Sequence, residues 1–189
     1  NDDEMSSKLL EAGKMEKSEL ATKLRKISDQ IDQFEGKLNT EEATKNALIM
    51  PFFAALNYNV FDPTEFVPEY TADFGSKKGE RVDYAIILNG EVQILVETKE
   101  LSDDLEKKDS QLFRYFTATK AKFGILTNGN TYKFYTDLDD PNVMDKVPFL
   151  TLRMSSLKDN QIAELYKFAK ENFDVESIAS SAYSLRSVG

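Results

Sequence analysis

Asp83, Glu97 and Lys99 stand in the order D-x(13)-E-x-K in a chain that contains no histidine and no cysteine. Two carboxylates and an ammonium suit metal-assisted hydrolysis of a phosphodiester. The acids would hold Mg²⁺, with Mn²⁺ as a substitute; the cation polarises the phosphate and lowers the pKa of a bound water. The lysine would steady the attacking water or the developing negative charge. Without imidazole or thiolate the usual zinc ligands are missing, which leaves hard cations bound through oxygen. The spacing alone is a weak signal, and surface charge is the plainer reading of it.

The elements that must position these residues are legible as strands. "EVQILVETKE" at 91–100 is an apolar strand ending in acid and base, and alternation puts Glu97 and Lys99 on one face. "RVDYAIIL" at 81–88 precedes it, and Asn89-Gly90 predicts a tight hairpin between the two. A regular hairpin closed by that turn pairs Leu88 with Glu91, and therefore Glu97 with Val82 and Asp83 with Val96. Asp83 and Glu97 then point to opposite faces. The site requires a bulge or bend near Asp83.

Strands are also expected at 123–128 and 132–137, joined by Asn128-Gly129-Asn130, with helical spacing of Leu105, Leu112, Phe113 and Phe116 before them. A strand, helix, strand order implies a crossover, so the third of these strands should run parallel to the second. Thr40 opens a helix with Glu41 and Glu42 in its first turn and Leu48, Ile49, Phe52, Phe53 and Leu56 on its buried face, which Pro51 should kink. The order predicts an α/β or α+β fold with a mixed sheet between helices.

Upstream, Leu20, Leu24, Ile27, Ile31, Phe34 and Leu38 recur every four and three residues. Such a narrow heptad stripe suits a coiled coil, or a long helix lying on its own domain. Both readings stand, and the first implies a homodimer or higher oligomer through Leu20, Leu24, Ile27, Ile31 and Phe34. A last helix is expected near 157–173, with Ile162, Leu165, Phe168 and Ala169 buried, followed by a Ser-rich tail expected to fray. The expected division is 1–38 for the N-terminal helix, 39–153 for the core and 154–189 for the last helix and tail.

The net charge of −9 over 189 residues argues against a domain that coats a polyanion, although Lys77, Lys78 and Arg81, and Lys99, Lys107, Lys108, Arg114, Lys120 and Lys122, form local basic groups. No apolar run suits a membrane helix, and the first residues lack a signal-peptide pattern, so a cytoplasmic protein without membrane contact is expected.

The runs "TEEATKNALIMPFFAALNYNVFDP", "KKGERVDYAIILNGEVQILVETKE" and "QLFRYFTATKAKFGILTNGNTYKFYTDLD" resemble the PD-(D/E)xK nucleases. The closer likeness, over about residues 40–153, is to the N-terminal nuclease domain of type I restriction enzyme motor subunits. The resemblance implies a restriction-endonuclease-like fold and a Mg²⁺-dependent DNA endonuclease. It implies Asp83 and Glu97 as metal acids, Lys99 as catalytic lysine, and a first strand distorted beside the metal. Gln111 and Tyr115 match a Q-x-x-x-Y motif associated with the nuclease site, and Glu41 or Glu42 matches an acid of the first core helix that completes the metal site. Val82 stands where the family name has proline, and no P-loop is present. The chain is then a nuclease piece of a larger subunit or a stand-alone defence or prophage protein, with DNA and other restriction subunits as partners. The competing reading is a nuclease fold kept as a scaffold for oligomerisation and for protein or nucleic-acid binding, with cleavage weak or lost.

Overall fold

Asn89 and Gly90 both adopt positive φ, 54° and 78°, the left-handed pair that closes a two-residue hairpin matched to strand twist. They join β2 (Val82–Leu88) to β3 (Glu91–Thr98) at the centre of the fold. The computed structural model describes residues 2–5, 14–72 and 81–188. Lys77 and Lys78, and the Gly- and Lys-rich turn around them, lie outside the described residues.

Six strands form one sheet in sequence order, with β1 (Phe66–Tyr70) on one edge. Beyond β3 come β4 (Phe123–Thr127), β5 (Thr131–Tyr135) and β6 (Leu150–Arg153). Neighbours are antiparallel except β3 and β4, which run parallel. The helix Ser110–Ala118 makes that crossover, as a parallel connection requires. The architecture is the expected α+β mixed sheet flanked by helices.

Helices cover both faces. On one face lie α1 (Lys17–Phe34), α2 (Glu41–Thr44), a π turn at Lys45–Ile49 and α3 (Met50–Ala55). α5 (Asp159–Phe168) and α6 (Val175–Val188) join them over Tyr84, Ile86, Ile94, Val96 and Ile125. The crossover helix, α4, covers the other face over Ala85, Leu95 and Leu126. Gly124 permits its close approach, since a Cβ there would sit 3.2 Å from the Leu112 side chain and from Met144 Sδ. Pro51 has no N–H to donate and its ring crowds the preceding turn. The wider π turn ends where it begins to matter, and Pro51 falls in the first turn of α3, where proline is tolerated.

Two expectations are corrected. Leu20, Leu24, Ile27 and Ile31 are all buried within the single chain, and Phe34 and Leu38 pack against the same cluster. The stripe faces α5 and the segment after β6 rather than a second copy, so the coiled-coil reading and self-association through Leu20, Leu24, Ile27, Ile31 and Phe34 give way to intramolecular packing. Heptad spacing cannot tell these apart, because both bury one narrow helix face. Leu24→Ala is therefore expected to cost about 2–5 kcal/mol. Thermal melts should show this loss unchanged across protein concentration; a coiled coil would make it concentration-dependent.

The Ser-rich segment, expected to fray, is instead α6. Ile178 and Ala182 are buried, and Leu185 packs against the core, at spacings of four and three. Burial of that face overrides the weak helix propensity of serine.

Candidate active site

The hairpin register decides whether an acid pair exists. Next to the turn, Leu88 pairs with Glu91 and Ile87 with Val92, as the regular ladder predicts. The register then shifts between Ile86 and Ile87: Ile86 pairs with Ile94, Ala85 with Leu95 and Tyr84 with Val96. Gln93 is the extra residue, a β-bulge. A one-residue slip reverses which side chains share a face. Continued by one step, the new register would set Asp83 opposite Glu97, and the two carboxyl groups do hydrogen-bond to each other.

The distortion extends to Asp83 itself. Val82 and Ala85, three apart, pack into the same apolar cluster, which an undistorted strand forbids. On the neighbouring strand, Pro68 pairs with Tyr84 and Tyr70 with Val82, and Glu69 between them takes a φ of 49°.

Both oxygens of Asp83 are held. Oδ2 accepts the Thr98 backbone N–H at 2.8 Å and Oδ1 accepts from Lys45 Nζ at 2.9 Å. Glu97 is 4% exposed, hydrogen-bonds to Asp83, and has Oε2 buried without a partner. Burial, the bond to Asp83 and the Asp83 charge push its carboxyl up to about 9, against the pull of Lys99 and with a further push from Glu41. Burial opposes the charge on Asp83, but its bonds to Glu97, Thr98 and Lys45 hold it below the ordinary carboxylate range. Burial and mutual repulsion therefore favour the charge on Asp83 and the proton on Glu97.

Lys99 lies one residue beyond β3. Its backbone N–H donates to Thr127 O at 2.9 Å, extending the parallel ladder, so its side chain keeps to the face of Glu97. Lys45 was not singled out from the sequence. Its ammonium bonds Glu42 Oε1 at 3.0 Å as well as Asp83, and lies 5.7 Å from the centroid of the Tyr84 ring. Burial alone would lower its pKa, but the bonds to Asp83 and Glu42 raise it, so it is a fixed positive charge. Its signal in the sequence is its place directly after Thr44, in the E-x-x-T-K run 41–45.

The other predicted residues fall around this centre. Thr40 caps α2 by accepting the Ala43 N–H at 3.0 Å. That starts the helix so that Glu42 reaches Lys45, while Glu41 acts on Glu97 through space. Gln111 donates to the Arg81 carbonyl, tying the first turn of α4 to the backbone two residues before Asp83. Tyr115 is buried at the sheet; burial raises its phenol pKa, Arg114 counters this, and Glu97 adds to the rise.

These residues fit a divalent cation. The donors are carboxylate oxygens, one buried and unpartnered, and two acids that oppose each other's ionisation could both ionise beside a cation. Asp83 and Glu97 would be protein ligands; among the described residues no three acids stand together as a ready-made ligand cluster.

Residues 40–148 match the family described as Type I restriction enzyme R protein N terminus, more than half of the chain. No curated protein and no solved structure matches the chain.

Proposed function

Because the chain belongs to the family of type I restriction enzyme R protein N termini, we propose that it is the nuclease part of a restriction or related defence system, hydrolysing DNA phosphodiesters with a divalent cation. The observation that carries this reading is the contact between Asp83 and the buried Glu97 at the end of a bulged hairpin, with one Glu97 carboxylate oxygen buried and unpartnered. A structural hairpin gains nothing from two buried acids in contact, which oppose each other's ionisation.

Asp83 and Glu97 would hold Mg²⁺, or Mn²⁺ in its place; bound there, the ion supplies Lewis acidity toward a phosphate and a water. Asp83 is oriented in advance by Thr98 and Lys45, so little reordering is needed to present it. Lys99, beside Glu97, offers an ammonium to the attacking water or to charge developing on the phosphate. Gln111 holds the entry to β2 and serves as a positioning residue, and Tyr115 walls the site on the α4 side.

Base recognition would come from other restriction subunits, because the net charge of −9 disfavours tight autonomous DNA binding. Among the described residues no helix is long and apolar enough to cross a membrane.

Asp83→Asn is expected to abolish Mg²⁺-dependent nicking of plasmid DNA, and to remove Mn²⁺ binding in calorimetry, while leaving circular dichroism unchanged. Cleavage by this variant at the unmodified rate would overturn the assignment. If the unmodified chain binds no divalent cation, the scaffold reading replaces it.

A further inference from the structure

We infer that Lys45 is an internal counter-ion that occupies Asp83 until a divalent cation binds, and so sets the affinity of the site for that cation. The inference rests on the cation-dependent reading above and adds a residue that the D-x(13)-E-x-K spacing does not include.

The geometry singles out this lysine. Asp83 and Glu97 are largely withdrawn from water, with the Asp83 side chain 17% exposed, and an ionised acid there needs a positive partner. Lys45 provides it at 2.9 Å. It reaches Asp83 from the opposite face of the sheet to Tyr115, because the π turn carries it over the Tyr84 ring. Glu42 anchors the same ammonium at 3.0 Å from a side chain that is otherwise 76% exposed. Lys45 therefore has a second acid already in contact when it loosens its hold on Asp83. Lys99, by contrast, belongs to the Glu97 side of the pair. The two ammonium groups thus have separate duties, Lys45 at the first acid and Lys99 at the second.

A positive side chain bonded to a ligand oxygen opposes a second positive charge at the same atom. For Asp83 to be shared with a cation, Oδ1 must be released and the Lys45 ammonium must shift toward Glu42. In the resting chain this arrangement keeps the acids folded and charge-balanced. It also makes cation binding weaker than the carboxylates alone would allow.

Two measurements test this without relying on cleavage. Lys45→Met removes the charge and keeps much of the side-chain length; it is expected to bind Mn²⁺ about tenfold more tightly in calorimetry, with Lys45→Arg close to the unmodified affinity. In the unmodified protein, ¹⁵N-lysine labelling should show the Lys45 ammonium resonance, assigned by its loss in Lys45→Arg, moving as Mg²⁺ saturates the site. This second readout needs no variant fold beyond the assignment. Binding by Lys45→Met that is no tighter, or a Lys45 resonance unmoved at saturating Mg²⁺, overturns the counter-ion role while Asp83-dependent binding leaves the proposed function standing. If neither the unmodified protein nor Lys45→Met binds a cation through Asp83, both fail.

Discussion

Replacing Glu97 with Gln is expected to abolish cleavage and, in the absence of divalent cations, to make the protein more stable at pH 8. Glu97 is raised from 4.5 to about 9 by burial first, and then by its bond to Asp83 and the Asp83 charge. Between those values the folded chain keeps a proton that the unfolded chain has released. Stability therefore falls as pH rises through that window, and levels off above it. Gln cannot ionise, and its amide can donate to Asp83 as the protonated carboxyl does. The variant escapes the penalty, a gain on the order of 2–4 kcal/mol at pH 8 that shrinks toward zero near pH 5. Asp83 acts in the opposite sense and elsewhere on the scale: its stabilising contribution is present above its ordinary pKa and is lost only as pH falls through its depressed one. Urea unfolding of both proteins at pH 5 and pH 8 checks this. Equal stability at both pH values would mean that Glu97 is already ionised in the folded chain. Saturating Mg²⁺ should narrow the gap, since the cation stabilises only the protein that retains the acid.

Lys99→Ala is expected to lower cleavage about 10²–10³-fold while leaving the fold and cation binding in place. The backbone bond from residue 99 to Thr127 survives the substitution. Removing a positive charge near Glu97 should, if anything, strengthen Mn²⁺ binding slightly. That separates it from Asp83→Asn, where cleavage and binding are lost together. Single-turnover cleavage beside calorimetry distinguishes the two, and unreduced cleavage by Lys99→Ala would remove the lysine from the chemistry.

Much of this site is readable from local spacing. Glu97 and Lys99 share a face because strand alternation has a period of two. Asn89-Gly90 defines the hairpin because few other pairs tolerate two positive φ angles. The parallel β3–β4 pair follows from α4 lying between them, and the oxygen-only donor set follows from composition. The need for a distortion was also legible, because the regular ladder sets Asp83 against Val96. Its position was not. The register shift lies between Ile86 and Ile87, with Gln93 in β3 as the extra residue, nearer to the turn than Asp83. Gln93 carries no bulge signature such as glycine, so the shift is decided by how the two faces of the sheet pack.

The sequence by itself determined which residue types could act, which of them share a face, and the order of elements that carries them. Periodicity and turn chemistry are local, so they survive without knowledge of neighbours. Tertiary structure alone decided the one-residue register that joins Asp83 to Glu97, the capture of Asp83 by Lys45 from 38 positions upstream, and the burial of the Leu20 to Ile31 stripe inside one chain. Each depends on contacts between segments far apart in sequence, where a slip of one residue or a change of packing partner alters the outcome without altering the local pattern.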